Sequence, residues 1–158
     1  QRQMCIRDRF DRYLKGDENA ISENAKKGYK LFLKLGCQTC HTGPAMGGQS
    51  FEYADLKGDF FAGRAKTNDD NGLMNFSKKE SDRHRFRVPT LRNVELTWPY
   101  MHDASAQTLE EAITKMYHYQ LGYDKLDKKE VRFLVAFLKT LTGEYNGKPV
   151  QGEVCPAS

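Results

Sequence analysis

Apolar residues recur at helical spacing in three parts of this chain, and between the first and second the pattern fails. In residues 22–35, Ala25, Gly28, Tyr29, Phe32 and Leu33 fall three or four apart, which predicts an amphipathic helix. Ser22 can cap its first turn, and Gly36 offers a stop after its last. Glycine costs stability inside a helix, so Gly28 predicts the close approach of a second backbone. The next stripe is Leu109, Ala112, Ile113 and Met116, preceded by Thr108 with Glu111 three residues on, the spacing of a capping box. The third is Val131, Leu134, Val135, Leu138 and Leu141, with Asp127 and Glu130 in the same arrangement and Gly143 at its end.

Residues 42–107 behave differently. They are rich in Gly, Asn, Asp and Ser and keep no period, apart from the compact string RFRVPTLRNV. A stretch of that length inside a small domain needs an object to wrap. The fold class expected is therefore all-α, with helices and a long loop arranged around something that is not protein. Residues 144–158 are expected to be an extended, weakly ordered tail.

Composition changes this picture little. The 158 residues suit one domain, and 39% are hydrophobic. No run reaches the roughly 18 apolar residues of a membrane helix. Lys and Arg number 25 against 21 Asp and Glu, a mild excess without a dense basic patch, so nucleic acid is not an expected partner. The opening string QRQMCIRDR has no initiating Met, no signal-peptide core and no period. It resembles translated sequencing-adaptor read-through, so residues 1–9, with Cys5, are set aside. Residues 10–20 are then expected to be a linker from a missing N-terminal domain.

The chemistry lies in LGCQTCHTGPAMGG, where Cys37 and Cys40 are followed at once by His41. A structural zinc site needs four ligands, commonly a second close pair. Cys155 stands alone, and His84, His102 and His118 are scattered. A thioredoxin-like dithiol follows a strand within a βαβ unit; this pair follows a helix. The remaining reading is the attachment signature of c-type haem. Two thiols add to the two vinyl groups on one edge of the macrocycle, and the adjacent imidazole coordinates the iron. His41 would fill one axial position. For the other, Met46 is too close in sequence to cross the ring, whereas Met74, Met101, Met116, the other histidines, Tyr117 and Tyr119 are candidates. Met116 is preferred, because a capped helix can aim a thioether rigidly. Arg85, Arg87 and Arg92 can pair with haem propionates. Arg92, inside the compact string, is the best placed, and Arg85 sits in a charged run.

Four segments together, KGYKLFLKLGCQTCHTGPAMGGQSF, RFRVPTLRNVELTWPYMHDAS, TLEEAITKMYHYQLG and VRFLVAFLKTLTG, resemble the C-terminal haem domain of bacterial dihaem cytochrome c peroxidases. The resemblance is collinear over 21–143. It implies a cytochrome-c-type fold in which Gly28 and Phe32 lie where the first helix crosses the last. It implies one covalent haem c held by Cys37 and Cys40, with His41 as proximal and Met116 as distal ligand. It also implies calcium at a domain interface, bound through the backbone carbonyls of Thr97 and Pro99. Such a domain takes electrons from a small donor, a cytochrome c or cupredoxin. It passes them to a peroxidatic haem in the N-terminal domain, where hydrogen peroxide is reduced to water; a homodimer is compatible with this.

Two departures bear on the iron. Met101 stands where an aromatic is common, and Tyr117 and Tyr119 flank the expected ligand. In a related branch, the maturation enzyme of methylamine dehydrogenase, a tyrosine ligates this haem. The alternatives are thus a monohaem carrier or a maturation-type oxidase acting on a protein. His102 and Asp103 can hydrogen-bond their own loop, and Trp98 can pack at an interface or lie between haems. Covalent haem attachment makes the periplasm the expected compartment.

Overall fold

The computed structural model describes residues 8–145 and 148–150. Its helices are α1 (Arg9–Leu14), α2 (Glu23–Lys34), the single turn α3 (Met74–Ser77), α4 (Leu109–Tyr119) and α5 (Lys128–Leu138). Two small antiparallel pairs accompany them, β1 (Phe51–Tyr53) with β2 (Arg85–Arg87) and β3 (Glu144–Tyr145) with β4 (Lys148–Pro149).

The three expected helices form where the periodicity places them. Ser22 accepts a hydrogen bond from the Ala25 N–H, Thr108 from the Glu111 N–H, and Asp127 from the Lys129 N–H. Gly36 adopts φ +78° and turns the chain out of α2. The capping box at α4 differs from expectation in one arm: Glu111 accepts from the Gln107 N–H at 2.6 Å instead of from Thr108. The last helix also ends sooner, with a tight 3-10 turn at Lys139–Leu141.

The helical core is an aromatic stack where α2 crosses α5. Phe137 is fully buried, and its ring meets Phe10 at 5.1 Å, Phe32 at 5.2 Å and Tyr29 at 5.4 Å. Burial of one such side chain stabilises by roughly 2–3 kcal/mol. Gly28 is why the axes can come so near. A Cβ there would lie 1.9 Å from the Phe133 carbonyl oxygen and 2.9 Å from the Phe137 Cβ.

Two boundaries differ from expectation. Residues 10–20 are not simply a linker: α1 lies there, and Phe10 is buried in the core. Nor does Arg9 mark a structural edge, because Asp8 is buried, caps α1 through the Asp11 N–H and pairs with Arg92. Of the tail expected over 144–158, Glu144–Tyr145 and Lys148–Pro149 form the β3–β4 pair, and Glu144 pairs with Arg12 at 3.0 Å; residues 151–158 lie outside the described residues. Cys5 and Cys155 lie outside the described residues.

Residues 51–106 have a second core of another kind. Phe60 and Phe61 are buried side by side at 5.3 Å. Around them, His84 lies 4.1 Å from Phe61, Tyr119 lies 5.0 Å from Phe60, and His102 stacks on Phe86 at 4.2 Å. Next to this group Asp70 is fully buried.

Candidate functional site

The chain leaves α2 at Gly36 and enters a 3-10 turn at Cys37–Thr39, so both thiols and the imidazole sit at the mouth of the helical core. Cys37 packs against that core, and both cysteines are free. Burial pushes the Cys37 thiol up to about 11, and burial together with the Glu52 carboxylate raises that of Cys40. A thioredoxin-like nucleophile has the opposite shift, downward. Among the described residues no cluster of Cys, His, Asp or Glu could hold a metal ion by itself.

His41 is oriented by main chain. Its Nδ1 lies 3.3 Å from the Met46 carbonyl, an oxygen that can only accept, so Nδ1 carries the proton and Nε2 presents its lone pair. The same carbonyl accepts from the Leu91 N–H at 3.1 Å. Burial holds the ring's pKa below its ordinary value, while the carbonyls of Met46 and Pro89 act the other way. The ring is therefore neutral at neutral pH, the form in which imidazole binds a metal. Gly47 permits this approach: at φ +127°, a Cβ on it would sit 2.1 Å from the Pro89 carbonyl oxygen and 3.3 Å from His41 Nδ1.

Met46, excluded as a ligand on spacing, is buried with φ +50° and acts through its backbone. Met74 is half-buried on α3, and Met101 is half-buried in a turn at φ +70°. Met116 continues the stripe of α4 after Leu109 and Ile113. Leu109 is buried and Ile113 packs on the core, whereas Met116 stays 37% exposed, so its sulfur is not used up in protein packing. Of its neighbours, Tyr117 turns to Tyr123 at 5.0 Å and Tyr119 to Phe60. Thr97 and Pro99 are exposed and flank Trp98, itself 37% exposed.

The arginines are distributed differently from the propionate expectation. Arg92 gives its guanidinium to Asp8 and Asp11 and its Nε to the Pro44 carbonyl. Arg87 binds the Gly48 carbonyl. Arg85 bonds Asp82 and the Phe51 carbonyl, while its buried Nε has no protein partner.

The ion-pair centre of the loop leaves little trace in the sequence. Asp70 accepts from both Arg64 guanidinium nitrogens at 2.6 and 2.9 Å, from the Thr67 N–H at 2.6 Å and from His102 Nε2 at 2.7 Å. The Arg64 hydrogen bonds are the main reason its carboxyl is held far below the usual carboxylate range. His84 Nδ1 pairs with Asp55 at 2.8 Å. The one local signal was Thr67 with Asp70 three residues on, the spacing of a capping box.

The donor set fits a covalently attached haem. Two free thiols share one turn, an imidazole beside them has its Nδ1 fixed, and a thioether on α4 is not buried in the protein. Cys37 and Cys40 would hold the macrocycle, and His41 would ligate its iron.

The comparisons agree. The family model described as "Cytochrome c" matches residues 25–142. The chain is 46% identical over 136 residues to a cytochrome c551 peroxidase of Nitrosomonas europaea, covering 86% of this chain and 39% of that protein. It is 48% identical over 136 residues to the cytochrome c peroxidase Ccp of Escherichia coli, covering 86% of this chain and 29% of that one. The chain thus spans well under half the length of these relatives. Among solved structures, a MauG-like protein associated with microbial copper homeostasis aligns with a TM-score of 0.71 and 30% identity, over 88% of this chain and 52% of its own.

Proposed function

Because this chain belongs to the cytochrome c family and is akin to the bacterial cytochrome c peroxidases, we propose that it is the electron-transfer haem domain of a dihaem cytochrome c peroxidase. The observation that carries this reading is the Cys37–Cys40–His41 turn with its imidazole locked from behind by the Met46 carbonyl. A haem bound there supplies a one-electron couple at its iron, which a methionine ligand would raise in potential. The protein's part is to hold His41 in one tautomer, aim Met116 from α4, and keep water from the ring with the loop's aromatic residues. With His41 and Met116 both available to hold the iron, the domain would relay electrons and leave peroxide to another haem.

On this reading a small redox protein, a cytochrome c or cupredoxin, is the donor. The electrons pass on to a peroxidatic haem domain in the same polypeptide, where peroxide takes two electrons and two protons to form water. Haem attachment by Cys37 and Cys40 supports a periplasmic location on this reading. Thr97 and Pro99, exposed residues beside Trp98, would offer backbone carbonyls to calcium where the two domains meet. The likeness to a MauG-like structure supports a second reading, a dihaem oxidase acting on a protein partner, with Tyr117 or Tyr119 as the rival ligand.

The intact mass of the native protein, counting covalent haems, separates these readings from a simple carrier. Two haems are expected; a single haem would make it a monohaem electron carrier. Residues 8–150 loaded with haem should be reduced readily yet turn over peroxide hardly at all. Rapid turnover by them would overturn the electron-transfer reading.

A further inference from the structure

Helix α4, which carries Met116, is held at both ends by the same loop. At its C-terminal end the Lys57 N–H donates to the Tyr119 carbonyl at 2.8 Å, and Gln120 Nε2 donates to the Tyr53 and Ala54 carbonyls, each at 2.9 Å. The Tyr119 ring rests against Phe60 at 5.0 Å. At its N-terminal end the chain arrives through a turn at 100–106 closed by the Tyr100–Ala106 backbone pair. Met101 and Ala104 in that turn adopt φ +70° and +55°, a region that non-glycine residues enter only when their surroundings impose it.

Asp70 is bonded to this turn. Its carboxylate takes His102 Nε2 at 2.7 Å while the His102 ring stacks on Phe86. Its other main partner, Arg64, reaches the same turn again through Asp103 at 3.4 Å. One buried carboxylate therefore ties the turn before α4 to the aromatic base that meets the other end of α4. Thr108, the cap of α4, follows this turn almost at once.

We propose that Asp70, acting through His102 and Arg64, is the positioning residue that fixes α4 and so sets Met116 at the distance and angle an iron needs; this rests on the reading of Met116 as distal ligand. An iron–thioether bond is weak, so it depends on a sulfur already held in place rather than one that must be ordered on binding. The ion pair at the buried Asp70 carboxylate supplies that order to the turn at 100–106, which has no hydrophobic stripe of its own.

The test uses the haem-loaded protein with Asp70→Asn, His102→Ala, His102→Gln and, as a destabilised control far from the loop, Leu134→Ala. Four quantities are read: covalent haem per chain, the ferric methionine–iron charge-transfer band, the reduction potential and the urea midpoint. Asp70→Asn and His102→Ala are expected to keep the covalent haem and weaken methionine ligation about tenfold, the low end for loss of an outer support, with a lowered potential. His102→Gln keeps a donor to Asp70 and is expected to recover most of the band. Leu134→Ala should lower the urea midpoint and leave band and potential alone.

A band and potential unchanged in both Asp70→Asn and His102→Ala would overturn the proposal, even if both were less stable. Should Asp70→Asn fail to fold, the contrast between His102→Ala and His102→Gln decides alone. A native protein with no methionine–iron band would overturn the ligand assignment, and this proposal with it. A native band that both substitutions leave intact overturns only the positioning role.

Discussion

The crossing of α2 and α5 and the loop at 51–106 solve the same problem, holding a chain against a flat cofactor, by different means. At the crossing, Phe137, Phe32, Phe10 and Tyr29 are packed ring against ring around a backbone contact at Gly28. Hydrophobic burial is non-directional, so that region tolerates changes of shape as long as volume is kept. In the loop, position is set by directional bonds, Asp70 to Arg64 and His102, and His84 to Asp55. A buried charge that loses its partner is left uncompensated, so these bonds are held or lost as a group. The helical side should therefore respond to volume, and the loop side to charge and pH.

The largest effect is expected at the centre of the crossing. Phe137→Ala should cost the haem-loaded protein about 3–5 kcal/mol, read from urea unfolding, and should lower amide protection in both regions together. A loss below about 1 kcal/mol would mean that the cofactor, not the aromatic stack, organises the domain. Gly28→Ala should follow at about 2–3 kcal/mol, because the new methyl meets backbone rather than a movable side chain. A neutral result in the same titration would show that α2 and α5 can part without consequence.

Acid should separate the regions. The Asp70 carboxyl is held low in the folded protein, so its stabilisation is complete above the unfolded value of about 3.9 and drains away as pH falls below it. Amide protection in 60–106 should then drop, by up to about tenfold per pH unit, before protection in α2 and α5 does. Simultaneous loss would erase the distinction. The smallest effect is expected from Thr108→Ala, about 1 kcal/mol, confined to α4 and visible as faster exchange in its first turn.

The contrast also explains what could be read in the chain beforehand. The helices of the crossing announce themselves locally: stripes at three and four, caps at Ser22 and Asp127, a glycine where backbones meet. The haem turn was equally plain, because Cys37, Cys40 and His41 are contiguous chemistry. The loop's own partners lie far apart in sequence, His84 with Asp55 and His102 with Asp70, and no periodicity links them. Arg92 shows the same limit. Its compact surroundings marked it as purposeful, yet its acidic partners are Asp8, inside the string set aside, and Asp11, just beyond it, which cap and begin α1. Glu111 shows a finer one: the capping spacing was right, and the carboxylate still chose the neighbouring N–H of Gln107.

The Met46 carbonyl accepts from both His41 and the Leu91 N–H, and it belongs to the main chain. A substitution at position 46 changes a side chain and leaves that oxygen where it is, provided the newcomer tolerates the left-handed backbone. Control of the His41 imidazole is thus insulated from mutational drift at the residue that exerts it. Redox tuning through this bond would evolve only by moving the loop that carries it, through Gly47, Pro89 or Leu91, and not by changing the residue in contact.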